Sequence, residues 1–244
     1  MSIRIENVTK NFNGKTAVDN ITLDIPQGEF FAFLGPNGAG KTTTVKMMAG
    51  LLRPTSGTIT VAGYDMSKDL IEVKSMLAYV PDQPYMYDKL TGREFLNFVG
   101  TLYNMPEKDL SMQTDKYMEL FDMHDYIDEL TENYSHGMKQ RLILSATFLH
   151  RPKVVLVDEP IVGLDPQSAR LVKNMFKEQA GSGVTVFMST HVLSVAEETA
   201  DRIGIINNGK IVALGNMDEL RRRTQTDGNL EELFFHIMSQ QNCA

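Results

Sequence analysis

Three stretches of the chain carry residue types spaced for chemistry. The first, Gly35-Pro36-Asn37-Gly38-Ala39-Gly40-Lys41-Thr42, fits the pattern GxxxxGK[ST]. Glycines let such a loop fold so that its backbone N–H groups converge on phosphate oxygens, and a helix that starts there adds the positive end of its dipole. Lys41 supplies a point charge for the β- and γ-phosphates, and the Thr42 hydroxyl can ligate Mg2+. A chance match in a chain of this length is roughly 1 in 100. The second stretch is the apolar run Val154–Val157, which ends in two carboxylates, Asp158 and Glu159. At the carboxyl end of a buried strand, Asp158 is placed to hold Mg2+, directly or through water, and Glu159 to polarise an attacking water. The third, Tyr134-Ser135-His136-Gly137-Met138-Lys139-Gln140-Arg141, opens a helical pattern. By itself a serine there is an ordinary N-cap.

These residues meet only if strands and helices alternate around them. Phe30–Leu34 is a continuous apolar run, as in a strand covered on both faces, and a helix from about Lys41 to Ala49, closed by Gly50, should follow the loop. Before it, Ile3 and Ile5, then Ile21, Leu23 and Ile25, alternate with polar residues as half-buried strands do. Thr58–Val61 and Ala78–Val80 read as further strands. From Thr91 to Leu149 the period turns helical: Phe95, Phe98 and Leu102 recur at helix spacing, as do Met138, Leu142 and Leu149. Alternation then resumes, with strands at Val154–Asp158, Val184–Ser189, Ile203–Ile206 and Lys210–Leu214, and a helix over Ala169–Ala180. The pattern predicts one α/β domain on a mostly parallel sheet, interrupted by a helical subdomain.

With the phosphate loop and the acidic strand end in the same order, Ser135 and Gly137 resemble the LSGGQ-type signature of ATP-binding cassette (ABC) ATPases, although His136 replaces the first glycine and Met138 the glutamine. Gly163-Leu164-Asp165-Pro166 is similar to that family's D-loop, Thr190-His191 to its switch histidine, and Phe12 stands where it has an adenine-stacking aromatic. The resemblance runs from Ile3 to about Leu220. It implies a P-loop NTPase (RecA-like) core with an N-terminal antiparallel β-subdomain, an inserted α-helical subdomain over about 86–149 and a helical tail over about 221–244. It also implies ATP and Mg2+ as cofactors. The nucleotide would be held by Phe12, by Gly35 through Thr43, by Asp165, and by Ser135 and Gly137 reaching across from a partner subunit. Catalysis would fall to Lys41, Glu159 and His191, with Thr42 and Asp158 at the metal. The family usually has a metal-liganding glutamine directly after the proline of Tyr79-Val80-Pro81; here Asp82 takes that place and Gln83 follows, so the ligand is one of these two.

Composition bounds the rest. Lys and Arg total 24 against 31 Asp and Glu, a net charge of −7 with pI near 5.3, which disfavours gripping nucleic acid. Ten acids against four bases fall between Met86 and Glu129, as on a solvated acidic surface. The one cysteine, Cys243, excludes an internal disulfide and points to a reducing compartment. The N-terminal residues lack an apolar signal region, and no run approaches the ~18 apolar residues of a membrane span.

The resulting expectation is the ATPase subunit of an ABC transporter: cytoplasmic, peripheral on the membrane, paired with a second ABC ATPase subunit, identical or not, and with a separate integral membrane permease. No nucleic-acid partner is expected. Tyr85, Met86 and Tyr87 either meet the permease's short cytoplasmic helix or lie partly buried under the helical subdomain. Leu230, Leu233, Phe234 and Ile237 make the tail an amphipathic docking helix. The alternatives are an ABC-type ATPase acting on ribosomes or DNA, which in the similar families brings tandem cassettes or long coiled-coil insertions, and a P-loop small-molecule kinase, which would need neither Ser135–Gly137 nor His191.

Overall fold

A computed structural model describes residues 1–82, 86–159 and 166–241. Strands β1 (Ile3–Phe12) and β2 (Lys15–Ile25) form an antiparallel hairpin, extended by β4 (Ser56–Val61) and β5 (Tyr64–Asp65) into a four-stranded sheet of order β2-β1-β4-β5. The alternation read from the sequence is the reason it stands: Ile3, Ile5, Ile21, Leu23 and Ile25 are buried while their neighbours face water. This is the antiparallel β-subdomain.

The second sheet combines β3 (Phe30–Leu34), β6 (Leu77–Val80), β7 (Val154–Asp158), β8 (Thr185–Thr190), β9 (Arg202–Asn207) and β10 (Lys210–Gly215) in the order β10-β9-β3-β8-β7-β6. All pairings are parallel except the terminal β9–β10 hairpin. Both faces are covered, so strand residues alternate between two cores. Phe31, Phe33, Leu156 and Phe187 face helix α1 (Lys41–Met48) and the β-subdomain, whereas Phe30, Ala32, Val155 and Val157 face α5 (His136–Leu149) and α6 (Pro166–Gly181).

Helices α3 (Gly92–Leu102), α4 (Glu107–Leu120) and α5 make up the inserted subdomain around Phe95, Leu96, Tyr117, Phe121, Ile127 and Leu142. A capping box fixes the start of α3: the Glu94 N–H donates to Thr91 Oγ1 (3.1 Å) and the Thr91 N–H to the Glu94 carboxylate (2.8 Å). Helices α2 (Leu70–Met76) and α7 (Leu193–Thr199) are short elements the sequence pattern does not announce.

The tail departs from expectation. Helix α8 (Met217–Thr224) precedes α9 (Leu230–Gln241), whose Leu230, Leu233 and Ile237 are buried in the chain's own core, with Phe234 packed against it. Its apolar face is therefore spent internally and is not a free docking helix. Cys243 lies outside the described residues.

Candidate functional site

Strand register brings the chemistry together. In the parallel sheet Leu34 pairs with Thr190, Asp158 with Ser189, and Val80 with Val157. The loop beginning at Gly35, Glu159, His191 and Pro81–Asp82 thus leave four strands at one carboxyl edge, where open α/β sheets bind ligands. Between them lies a cleft of about 410 Å3 lined by Asn37, Gly38, Gly40, Lys41, Thr42 and Thr43 on one side and by Asp82, Glu159 and His191 on the other. Ala17 of β2 closes it, a residue that sequence reasoning missed.

The loop conformation demands its glycines. Gly40 has φ +111, and a Cβ there would sit 2.5 Å from the Ala17 carbonyl oxygen, so no other residue fits. The Lys41 ammonium donates to the carbonyls of Gly35 (2.7 Å) and Pro36 (3.2 Å). Burial pushes its pKa down, and the Glu159 and Asp158 carboxylates oppose that shift. Thr42, in the first turn of α1, is exposed toward the cleft.

Asp158 is 1% exposed; its Oδ1 accepts from the Ser189 hydroxyl, while Oδ2 is buried with no hydrogen-bond partner among the described residues. An orphaned carboxylate oxygen below a phosphate loop and a free threonine hydroxyl fits a Mg2+ ion, which keeps waters and takes substrate phosphate oxygens as ligands. Among the described residues no three acidic or histidine side chains converge closely enough to hold an ion unaided. The residues therefore fit a metal delivered with a nucleotide.

Glu159 adopts φ +54, the left-handed region a glutamate rarely enters. Its N–H donates to the Ser189 carbonyl (3.0 Å), and its carboxylate accepts from the Thr190 hydroxyl (3.0 Å) and bonds His191 Nδ1 (2.7 Å). Ser189 and Thr190 thus position both carboxylates; the only sequence signal for them was their place at the end of an apolar strand run.

The other candidates lie outside the cleft lining. Ser135 is the N-cap of α5, its hydroxyl accepting from the Met138 N–H (3.3 Å), and it is exposed. A Cβ on Gly137 would meet nothing within 4 Å. Phe12, at the tip of the first hairpin, is 42% exposed with the Lys10 ammonium 4.9 Å above its ring; it is not a core residue. Pro36 lends its carbonyl to Lys41, and Ala39 is buried under the loop. Gln83, Tyr85 and the stretch containing Gly163, Leu164 and Asp165 lie outside the described residues. Met86 is buried, whereas Tyr87 is exposed and meets Phe98 edge to face at 5.3 Å.

A second concavity, about 470 Å3, runs between α1, α2, β6 and the end of α3. Its rim carries Leu51 (55% exposed), Ile71 (81%) and Leu102 (64%), with Tyr79 and Tyr103 in its wall. No helix among the described residues is long and apolar enough to cross a membrane.

Comparison with known proteins gives the same picture from three sides. Residues 18–162 match a family model described as ABC transporter. A relative from Bacillus subtilis (strain 168), the linearmycin resistance ATP-binding protein LnrL, is 35% identical over 225 residues, covering 92% of this chain and 72% of that protein. A solved structure described as an ATP-binding subunit of an ABC transporter superposes with TM-score 0.93 at 28% identity, over 98% of this chain and all of the other. The cassette MJ0796, solved as a dimer in a post-hydrolysis state with ADP and Pi, shares the fold with TM-score 0.80 at 22% identity, over 88% of this chain and 98% of its own.

Proposed function

The chain belongs to the ABC transporter family as an ATP-binding, ATP-hydrolysing subunit, and from that premise we propose that it works as one half of a two-site ATPase that drives a separate membrane permease. One observation carries this reading. The cleft is built from the phosphate loop, Glu159 and His191, while the exposed Ser135 and the half-buried Gly137 stand at the N-terminus of a 14-residue helix outside it. A helix start with an open glycine is an anion site without a phosphate of its own. A second subunit, placed head to tail, supplies one, and this subunit's cleft receives the partner's equivalent residues in return.

In each cleft Lys41 and the loop amides neutralise the β- and γ-phosphates, and Phe12 stacks on the adenine. Thr42 and Asp158 would hold Mg2+, which when bound would spread the charge on the phosphates. Asp82 borders the cleft and Gln83 follows it in sequence; one of them would be a further ligand of the metal. Glu159 polarises the attacking water. His191 is held through Nδ1 by Glu159, which leaves Nε2 to hydrogen-bond the γ-phosphate. Positioning and charge neutralisation account for most of such a reaction.

The apolar groove at Leu51, Ile71 and Leu102, continued by Tyr87 and Phe98, receives a short cytoplasmic helix of the permease and holds the subunit on the cytoplasmic face of the membrane. Exposed apolar patches of this kind mark interaction sites. The pairing is tested by light scattering. Glu159→Gln protein, 27.4 kDa per chain, should double in mass on adding Mg2+–ATP and return when the nucleotide is removed. A mass that stays at one chain with ATP bound would refute the two-site arrangement of identical halves.

A further inference from the structure

Phe12 is an exposed ring with a cation fixed beside it. Three consecutive residues of β1 are stitched to the segment that follows α1. The Thr55 N–H donates to the Thr9 carbonyl (2.8 Å), the Lys10 ammonium to the Arg53 carbonyl (2.7 Å), and the Asn11 N–H to the Thr55 hydroxyl (3.0 Å). That segment is tied in turn to α1, where the Leu51 N–H donates to the Lys46 carbonyl (2.9 Å). The Arg53 carbonyl thereby holds the half-buried Lys10 side chain with its ammonium over one face of the Phe12 ring, 4.9 Å from the centroid. A ring that is 42% exposed would otherwise sample several rotamers. Helix α1 carries the phosphate loop at its other end, and that loop abuts the same hairpin, where a Cβ on Gly40 would meet the Ala17 carbonyl. The ring and the loop amides are thus referred to one helix.

We propose that Lys10 is a positioning residue for nucleobase recognition: it orients the Phe12 ring from one face, so that the other is preset for the base. The ammonium is committed to the Arg53 carbonyl and to the ring, so its charge acts through Phe12. A cation over an aromatic face is attracted by the ring's quadrupole, which resists tilting of the ring away from it. A ring oriented before the nucleotide arrives loses less freedom when the base stacks, and the saving appears as affinity. The inference rests on the reading of Phe12 as the adenine-stacking residue.

ADP carries the base and has no γ-phosphate to lose, so calorimetric titration of the full chain with Mg2+–ADP reads affinity without turnover. Lys10→Met keeps the unbranched stem and removes the charge. It should weaken binding about two- to fivefold, the size of a cation–π contact at a partly exposed site. Lys10→Arg, which keeps a cation able to lie on the ring, should recover most of that loss. In a Phe12→Ala background Lys10→Met should cost nothing further, because the two residues act as one unit. Wild-type affinity in Lys10→Met, no recovery by Lys10→Arg, or a loss of the same size with and without the Phe12 ring would each overturn the proposal. The stacking reading is judged separately by Phe12→Ala alone. If that variant binds ADP like the wild type, the stacking reading fails and the inference with it; if it binds weakly while Lys10→Met does not, only the role of Lys10 falls.

Discussion

His150 gives the sharpest stability test. It caps the C-terminus of α5, and its ring stacks on Tyr103 with centroids 3.6 Å apart and planes 9° from parallel. Both ring nitrogens are buried, with no well-formed hydrogen bond to either among the described residues. Burial lowers the pKa from 6.5 to about 4, and the nearby Leu77 backbone offsets only part of that shift. The unfolded chain binds this proton near 6.5 and the folded chain only near 4, so the contribution is complete above pH 6.5 and is lost as the pH falls toward 4. At pH 5 the unfolded ring is almost fully charged and the folded ring almost neutral, which costs about 2 kcal/mol relative to pH 8. For a chain of this size that is ~4–8 °C in melting temperature. His150→Phe keeps a flat ring against Tyr103 and removes the titration. In calorimetric melts of nucleotide-free protein from pH 8 to 5, the wild type should lose those degrees in addition to whatever His150→Phe loses over the same range. Parallel profiles for the two proteins would refute the assignment of a neutral, desolvated His150.

Three further outcomes are expected. Phe12→Ala should raise KM for ATP about fivefold or more with little change in kcat, because base stacking of ~1–3 kcal/mol acts equally on ground and transition states; steady-state kinetics decide. Asp82→Ala should raise the Mg2+ concentration needed for half-maximal nucleotide binding, with Asp82→Asn recovering part of it, if Asp82 rather than Gln83 is the ligand; an Asp82→Ala titration matching the wild type assigns the role to Gln83. Leu233→Ala, which empties a fully buried site under α9, should cost ~2–5 kcal/mol in a urea melt, and a cost below ~1 kcal/mol would mean the tail is not part of the core.

The parts of the fold that were legible in the sequence are those whose burial is periodic. Ile3, Ile5, Ile21, Leu23 and Ile25 announced a half-buried sheet, and Phe30–Leu34 and Val154–Val157 announced strands covered twice, because side-chain alternation is a local property. Helix α2 escaped because only Val73 of its residues is buried and Asp69 makes no side-chain cap bond, leaving neither stripe nor start signal. The amphipathic tail was legible as a helix; its partner, the chain's own α7 and α8, was not, since an apolar stripe does not say what covers it. In the site, the phosphate loop and the carboxylates of β7 were readable because each is a local motif. The contact of Glu159 with His191 depends on Asp158 pairing with Ser189, a register set by three layers of packing. Ala17 reaches the cleft only through that assembly.

The central claim is that this cleft hydrolyses ATP with Glu159 acting on the water. Phosphate release from Mg2+–ATP, measured beside equilibrium ATP binding for the wild type and Glu159→Gln, tests it most directly. The side chain changes from carboxylate to amide at nearly constant shape, so ATP affinity should hold while phosphate release falls on the order of 10²–10³-fold, the range of a lost general base. Hydrolysis by Glu159→Gln at the wild-type rate, with ATP bound equally well, would contradict it.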